Sequence, residues 1–406
     1  MHDSAVVIIS PNGKIIFASS LERLSREKQD GRPPYAILEK VNWKNVSKIA
    51  VSTEFELKNP NNNISKLLEV RLVKKRKQGL THLKQFYDFF DNLPCDKQYI
   101  CHQDAHAASA FWGSGFEDSL CLTYDGGMNN SAWFGGLYQA RRDTKKILSL
   151  DKFSALYYPK ITTLYSFVTA LLGFTPNKHE GKITGLAACG TPSKACHELL
   201  DQWFKKDYFD IEPTMEWIFP YAKDKSPTLL VNKERLEIFQ TASEKFSKED
   251  IAATLQEYTE KHILSLLSKA KNKGFVSKNI CLAGGLFANV KVNQKISELG
   301  FEKMYVAPPM GDDGTALGAA WYVAAQNSSF NFKKQNTMYL GVKGYDERKI
   351  EEYLLSKSIK HTILSDPVKD IAALLSSGSI VGVYRGLSEF GPRALGNRSI
   401  LCNANN

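Results

Sequence analysis

Two strand-like segments in the second half of the chain are each followed by a glycine turn and a helical segment. Residues 279–283 lead into Gly284-Gly285, and residues 304–307 lead into an acidic turn at residues 311–314. Strands that alternate with helices in this way predict an α/β protein, in which the strands share a sheet and the helices cover it. At 406 residues the chain is long enough for two or three domains.

The first half of the chain contains strand-like runs joined by tight turns. Residues 5–10 and 14–19 flank a Pro-Asn-Gly turn, which predicts a hairpin. Residues 119–124 and 131–139 flank a turn that begins with Asp125, which predicts a second hairpin with an acidic tip.

Helical spacing of apolar residues predicts core helices at residues 161–172 and 251–272 and a further helix at residues 67–90. The net charge of +10 is densest at residues 71–77. This basic stretch has no interleaved aromatic residues, so we interpret it as a solvated helix face, and a nucleic-acid partner is not expected.

Cysteine usage and hydropathy indicate the compartment. The seven cysteines are scattered, with no CxxC pair and no secretory leader ahead of them, which predicts a reducing cytoplasmic environment. The longest apolar run, residues 164–174, is interrupted by polar residues and is shorter than the roughly 20 residues of a membrane span. We therefore expect no membrane anchor.

A histidine pair and two aspartates have the chemistry of a metal site. His102 and His106 are four residues apart at the start of a helical segment, which places both rings on one face. Asp125 and Asp312 each follow a strand, at the sheet edge where α/β proteins bind ligands. These residue types suit a divalent ion such as iron. The alternative is two ordinary helix histidines and two turn-capping aspartates.

Glycine turns at two places are suited to phosphate. Gly284-Gly285 precedes a helical segment that includes Asn289, and backbone N–H groups at such a helix start can bind phosphate. Lys182 lies among glycines in residues 180–187, although that segment is equally typical of an exposed loop.

Two arginines lie five residues apart in a frame of glycine and proline. Arg393 and Arg398 belong to the string EFGPRALGNRS at residues 389–399. Guanidinium groups bind phosphate or carboxylate through two parallel N–H bonds, and surface salt bridges are the alternative role.

Together these strings resemble the carbamoyltransferase family that includes nodulation-factor and antibiotic O-carbamoyltransferases. The resemblance runs almost from end to end. It is carried by HDSA (2–5), ERLSREKQD (22–30), HQDAHAASAF (102–111), LTYDGG (122–127), LYS (164–166), HEGKITGLA (179–187), LAGGLFAN (282–289), APPMGDDGTALGAA (307–320) and EFGPRALGNRSIL (389–401).

The resemblance implies an actin-like ATPase domain, a duplicated ribonuclease-H-like fold, at residues 1–335. The start of a YrdC-like α/β domain would follow at residues 336–406. In the family, the YrdC-like domain makes carbamoyl-adenylate from carbamoyl phosphate and ATP. The actin-like domain, which holds an iron ion, then transfers the carbamoyl group to a hydroxyl of a small-molecule acceptor.

The resemblance also implies roles for particular residues. His102, His106, Asp125 and Asp312 match the metal site, and Asp125 also lies beside the acceptor hydroxyl and the adenylate. His2 is the candidate base. Nucleotide or phosphate contacts are expected from Lys28, Lys182, Gly284, Gly285 and Asn289, and carbamoyl-phosphate contacts from Arg393 and Arg398.

Three departures from the family pattern are visible. The strand that normally precedes the HD motif is missing, and Gln103 stands where relatives often carry a further histidine. Only about 70 residues of the YrdC-like domain are present, so we expect a separate chain to supply the remainder. Alternative functions are a tRNA threonylcarbamoyladenosine-type transferase and a truncated nucleotide-binding remnant without turnover.

Overall fold

The computed structural model describes residues 3–53, 92–93, 95–126, 133–153, 160–176, 178–205, 215–218 and 229–404. The helix predicted at residues 67–90, with its basic stretch at residues 71–77, lies outside this part of the chain.

The secondary structure alternates as the sequence predicts. The strands are β1 (Ala5–Ile9), β2 (Ile15–Ser20), β3 (Lys48–Thr53), β4 (Asp96–Cys101), β5 (Asp118–Tyr124), β6 (Gly135–Arg141), β7 (Lys146–Phe153), β8 (Met215–Ile218), β9 (Leu229–Asn232), β10 (Asn279–Ala283), β11 (Lys303–Val306), β12 (Tyr339–Lys343), β13 (Val381–Tyr384), β14 (Leu387–Glu389) and β15 (Arg398–Leu401). The α-helices are α1 (Glu22–Ser25), α2 (Tyr35–Leu38), α3 (His102–Ser114), α4 (Ile161–Leu171), α5 (Glu180–Leu186), α6 (Lys194–Lys205), α7 (Lys233–Lys245), α8 (Lys248–Asn272), α9 (Val290–Ser297), α10 (Asp313–Ala324), α11 (Glu347–Ser356) and α12 (Pro367–Ser376).

The chain divides into two compact units. The sheet unit comprises residue 53 and the described residues from 101 to 310. The terminal unit comprises the described residues up to 52, those from 92 to 100 and those from 311 to 404.

The sheet unit is built on five strands in the order β11-β10-β5-β6-β7. Strands β5, β6 and β7 are antiparallel neighbours, whereas β10 and β11 run parallel to β5. Three consecutive antiparallel strands extended by two parallel ones form the topology of a ribonuclease-H-like lobe. The α/β class is therefore confirmed, and this sheet has the strand order of an actin-like lobe.

Helices cover both faces of this sheet. Alternate residues of β5, Leu120, Leu122 and Tyr124, point into an apolar core shared with α4 and α8, because side chains of a strand alternate between faces. On the opposite face α3 packs against β5 and β10. The long helix α8 is capped by Ser247, whose side chain accepts a hydrogen bond from the Asp250 N–H.

Two-stranded sheets are described in the terminal unit, namely β1 with β2, β3 with β4, β12 with β14, and β13 with β15. Those of β1 with β2, β12 with β14 and β13 with β15 are antiparallel. Helix α10 packs against β1, and buried Trp321 donates a hydrogen bond of 2.8 Å to the Gly13 carbonyl in the turn of the first hairpin. Both predicted hairpins are therefore present, although β6 begins at Gly135, later than expected.

The residues after 335 form their own strand pairs, and they also contact the N-terminal hairpin: β12 lies against β2. The Arg23 side chain donates a hydrogen bond to the Gly391 carbonyl at 2.8 Å. The domain boundary at residue 335 stays a prediction. Among the described residues, no helix combines the length and apolar character needed to span a bilayer.

Candidate functional site

The carboxyl ends of β5 and β10 lie side by side, because these neighbouring strands are parallel, with Thr123 opposite Ala283. Asp125 follows the first strand and Gly284 follows the second. His102 is the first residue of α3, the helix that packs on these two strands. The fold therefore concentrates polar groups at the ligand-binding edge of the sheet.

Three side chains from this edge meet in a compact cluster. The Nε2 atom of His102 lies 3.1 Å from Oδ2 of Asp125 and 3.1 Å from Nε2 of His106. The distance from His106 Nε2 to the same Asp125 oxygen is 3.5 Å. All three side chains are buried. The four-residue spacing on α3 thus brings both imidazoles to one carboxylate, as the sequence predicted.

The Asp125 carboxylate is held in place from its other side. Its Oδ1 atom accepts a hydrogen bond of 3.1 Å from the Gly285 N–H. Burial raises the pKa of Asp125, but hydrogen bonds from His102 and His106 outweigh this effect and hold the pKa well below its usual value. The carboxylate is therefore an anion that faces nitrogen atoms.

Gly284 adopts a backbone conformation that favours glycine, with φ +104°. A Cβ atom at this position would lie 2.2 Å from the Tyr124 carbonyl oxygen, so no larger residue fits. The Gly284 N–H also donates a hydrogen bond of 2.8 Å to the Met310 carbonyl. This tight packing of the turn against β5 is what aims the Gly285 N–H at Asp125.

The cluster fits a divalent metal ion. Two ligand atoms that each lie about 2.1 Å from a metal ion are separated from each other by about 3.0 Å in octahedral geometry and by about 3.4 Å in tetrahedral geometry. The donor atoms of His102, His106 and Asp125 are separated by 3.1, 3.1 and 3.5 Å. Asp312 follows Met310 by two residues, a reach of at most about 7 Å, and its role as a fourth ligand stays a prediction.

Asn289 lies beside this turn, but its side chain is committed to internal hydrogen bonds. Its Oδ1 atom caps α9 by accepting the N–H groups of Lys291 and Val292. Its Nδ2 atom donates to Oε1 of buried Gln256 at 2.8 Å, and the Tyr165 hydroxyl donates to the same oxygen at 3.0 Å. Any contribution of Asn289 to nucleotide binding is thus through the shape of the turn.

The two predicted nucleotide-binding lysines take no part in these hydrogen bonds. Lys28 is exposed and pairs with Glu22 at 3.0 Å. Lys182 is exposed, and its ammonium group lies 5.6 Å from the centre of the Phe174 ring. His2 lies outside the described residues, so its role as the base stays a prediction.

The EFGPRALGNRS string forms a loop organised by Glu389. This side chain is fully buried, and its Oε1 atom accepts backbone N–H groups from Leu395, Asn397 and Arg398 at 2.9, 2.8 and 3.0 Å. Burial raises the pKa of Glu389, but these backbone hydrogen bonds outweigh it and lower the pKa to about 2. The carboxylate is therefore charged at neutral pH, and its hydrogen bonds fix the path of the loop.

The two arginines of this loop have different environments. Arg393 is exposed, and its guanidinium has no hydrogen-bond or ion-pair partner in the described part of the chain. Arg398, in contrast, stacks on the Tyr384 ring, with its guanidinium carbon 3.8 Å from the ring centre. The structure therefore does not present the two arginines as an equivalent pair.

Sequence reasoning assigned no role to two residues that organise these sites, Gln256 and Glu389, or to buried Asp313. Gln256 and Glu389 act through hydrogen bonds to residues far along the chain or on a loop, which no local pattern reveals. Asp313 is buried in the terminal unit, where burial and then the charge of Asp3 raise its pKa to about 7. Its carboxylate accepts hydrogen bonds from the Ser20 hydroxyl at 3.1 Å and from the Gly314 N–H at 3.0 Å. The adjacent acidic pair in the GDDG turn was the available signal for Asp313.

Family models match both parts of the chain. A model described as "Carbamoyltransferase N-terminus" matches residues 56–321, and one described as "Carbamoyltransferase C-terminus" matches residues 372–406.

Similar proteins occur in archaea and bacteria. The protein MJ1058 of Methanocaldococcus jannaschii is 29% identical, with 99% of this chain aligned to 75% of the relative. Protein sll1178 of Synechocystis is 32% identical over 74% of this chain and 49% of its own length. The nodulation protein NolNO of Sinorhizobium fredii is 29% identical over 99% of this chain and 58% of its own length. This chain thus spans only about half to three quarters of these relatives.

Similarity to solved structures is weak. Full-length HypF in a phosphate- and nucleotide-bound form is 17% identical, with a TM-score of 0.32 over 63% of this chain and 47% of that chain. The 2-hydroxyisocaproyl-CoA dehydratase activator of Clostridium difficile is 13% identical, with a TM-score of 0.41 over 89% of this chain and 96% of that chain. The fold assignment rests on the strand order rather than on these likenesses.

Proposed function

Because the chain belongs to the carbamoyltransferase family, we propose that it moves a carbamoyl group from carbamoyl-adenylate to a hydroxyl of a small-molecule acceptor. The adenylate would be made from carbamoyl phosphate, water and ATP: hydrolysis of carbamoyl phosphate releases phosphate and carbamate, and the carbamate displaces pyrophosphate from ATP. The acceptor oxygen then attacks the carbamoyl carbon, AMP leaves, and a base takes the hydroxyl proton. The cluster of His102, His106 and Asp125 is the observation that carries this proposal.

In this proposal His102, His106 and Asp125 bind a divalent ion, with iron as the first candidate and Asp312 as the fourth ligand. Two imidazoles and carboxylates form a mixed nitrogen and oxygen set that suits such ions. When bound, the metal would polarise the carbamoyl carbonyl as a Lewis acid. The Gly285 N–H orients Asp125 for this role, as an outer partner does for a metal ligand.

The nucleotide is proposed to lie at the Gly284-Gly285 turn, where glycine allows close approach of phosphate to the backbone. Lys28 and Lys182 would contribute positive charge, and His2 would accept the acceptor proton. The buried pair of Gln256 and Asn289 would hold the turn rigid beneath the adenylate. Catalysis by positioning requires this kind of rigidity.

The C-terminal residues are proposed to form only part of the carbamoyl-phosphate domain. Large apolar side chains are exposed along α11, α12 and the adjoining strands, namely Tyr353, Leu355, Val368, Leu374, Ile380 and Ile400. A two-stranded ladder such as β13 with β15 is marginal without a further packing layer. We therefore expect additional polypeptide, from the same protein or from a separate chain, to cover this face and complete the adenylation site.

Metal content tests the site directly. The parent, a His102→Ala/His106→Ala variant and a control His361→Ala variant, whose histidine is exposed, would be purified anaerobically and analysed by elemental mass spectrometry. We expect one equivalent of divalent metal in the parent and the control and a loss in the double variant. Equal metal content in all three would refute the ligand assignment.

Turnover tests the reaction. Release of AMP from synthetic carbamoyl-adenylate, with sugar alcohols as acceptors, should fall at least about hundredfold in the double variant. Pyrophosphate exchange should require carbamoyl phosphate and the added C-terminal domain of a longer relative. A requirement for threonine instead of carbamoyl phosphate would identify a threonylcarbamoyl transferase, and no turnover in any combination would identify a nucleotide-binding remnant.

A further inference from the structure

The guanidinium of Arg398 is almost fully occupied by the protein itself. Its Nη1 atom donates to the carbonyls of Asn397, at 2.8 Å, and of Arg385. Its Nη2 atom donates to the carbonyls of Gly386, at 3.2 Å, and of Val342, at 3.4 Å. An arginine side chain has five N–H bonds, so four are used and only Nε–H remains.

This arrangement prevents Arg398 from gripping a phosphate. A bidentate contact with phosphate needs two parallel N–H bonds on one edge of the guanidinium. Every such edge of Arg398 includes a nitrogen that already donates its hydrogen bonds to protein carbonyls. The Tyr384 ring also covers one face of the guanidinium, at 3.8 Å. The side chain instead ties β15 to β12 and β13, because its carbonyl partners follow or belong to those strands.

Arg385 has the complementary arrangement. Its Nε atom donates to the Gly396 carbonyl and to the Asn397 side chain, both at 3.2 Å, which anchors the base of the guanidinium against the loop. The residue is exposed, and its two Nη groups have no partner in the described residues. The free edge formed by Nη1 and Nη2 is therefore already oriented and available to an anion.

Arg393 supplies a second free guanidinium from the same loop. The chain is fixed on both sides of it, because the Gly391 carbonyl accepts a hydrogen bond from Arg23 and the Leu395 N–H donates to Glu389. The backbone donors of residues 395–398 are also occupied. The N–H groups of residues 395, 397 and 398 bind Glu389, and that of Gly396 donates to the Ser399 hydroxyl at 2.9 Å. An anion beside residues 395–398 must therefore be held mainly by side chains.

We propose that Arg385, which is hydrogen-bonded to this loop, and Arg393, which lies on it, bind phosphate, and that Arg398 is a positioning residue. The inference rests on the proposed function, since it takes carbamoyl phosphate as the anion. It revises the expectation that Arg393 and Arg398 act as a pair. Arg385 lies four residues before Glu389, outside the EFGPRALGNRS string, so the string alone does not identify it.

Titration of the parent and its variants with inorganic phosphate and with carbamoyl phosphate, in the absence of ATP and acceptor, tests this assignment. Thermal unfolding is recorded alongside the titration. Arg385→Gln and Arg393→Gln should each weaken phosphate binding roughly tenfold or more. Arg393→Gln should leave the unfolding temperature unchanged, and Arg385→Gln should lower it less than Arg398→Gln does, because it loses two hydrogen bonds rather than four. Arg398→Gln should lower the unfolding temperature. Arg348→Gln, at an exposed arginine of α11 paired with Glu352, is the control and should change neither.

Three results would overturn the proposal. In the first, Arg385→Gln binds phosphate as tightly as the parent does. In the second, Arg398→Lys loses affinity for phosphate while its unfolding temperature stays the same. In the third, the parent binds neither phosphate nor carbamoyl phosphate. Failure of the proposed function is distinguishable, because it would appear in metal content and AMP release while these phosphate affinities kept the predicted order.

Discussion

Replacing Glu389 by glutamine tests how the arginine loop is held. The substitution keeps the size of the side chain and removes the charge that faces three backbone N–H groups. A pKa of about 2 against the usual 4.5 is a difference of about 2.5 pH units, equivalent to about 3.4 kcal/mol at 1.36 kcal/mol per unit. The loop flanking Glu389 is exposed, so solvent screening reduces this, and we expect a loss of about 1–2 kcal/mol.

The pH dependence has a defined sign. Because the pKa of Glu389 is lowered in the folded state, its contribution is complete above about pH 4.5 and is lost as the pH falls towards 2. The parent and Glu389→Gln should therefore differ in stability at pH 7 and converge in acid. Glu347→Gln, at an exposed glutamate of the first turn of α11, is the matched control and should follow the parent.

Amide hydrogen exchange and thermal unfolding, both recorded between pH 7 and pH 3, are the measurements. Exchange at Leu395, Asn397 and Arg398 should accelerate in the variant at pH 7, because these amides lose their charged acceptor. Unchanged protection of these amides at pH 7, or a stability difference at pH 3 as large as the one at pH 7, would refute the reasoning.

Other perturbations address the sheet unit. Gly284→Ala should lower the free energy of unfolding, measured in urea, by about 2–4 kcal/mol, because its Cβ atom would clash with the Tyr124 carbonyl. Gly300→Ala is the control: its φ is also positive but the space around it is open, so it should lower the free energy of unfolding by only about 1 kcal/mol. Gln256→Leu removes the hydrogen-bond partner of Asn289 and Tyr165 and should lower the free energy of unfolding by about 1–3 kcal/mol in the same assay. No loss of stability would show that these hydrogen bonds are not needed. Burial, and then the charge of Lys269, lower the pKa of His262 to about 4, so the stability of the protein should fall as the pH drops from about 6.5 to 4. His262→Phe should make stability depend less on pH in this range. An unchanged pH dependence in the variant would contradict the lowered pKa of His262.

Local patterns in the sequence were sufficient for several of the helices and strands and for part of the site. The hairpins, α4, α8 and the strands before the two glycine turns follow from turn residues and from apolar periodicity, which act over a few neighbouring residues. The pairing of His102 with His106 also followed, because a four-residue spacing on a helix has one geometry.

Tertiary structure decided which distant groups meet. Asp125 joins the histidines and the Gly285 N–H only because β5, β10 and α3 pack together, and Gln256 finds Asn289 only because α8 crosses the start of α9. The case of Arg398 shows the physical reason. An arginine has the same charge and five donors wherever it stands, and whether those donors are free for a ligand depends on carbonyl groups that folding brings within hydrogen-bonding distance.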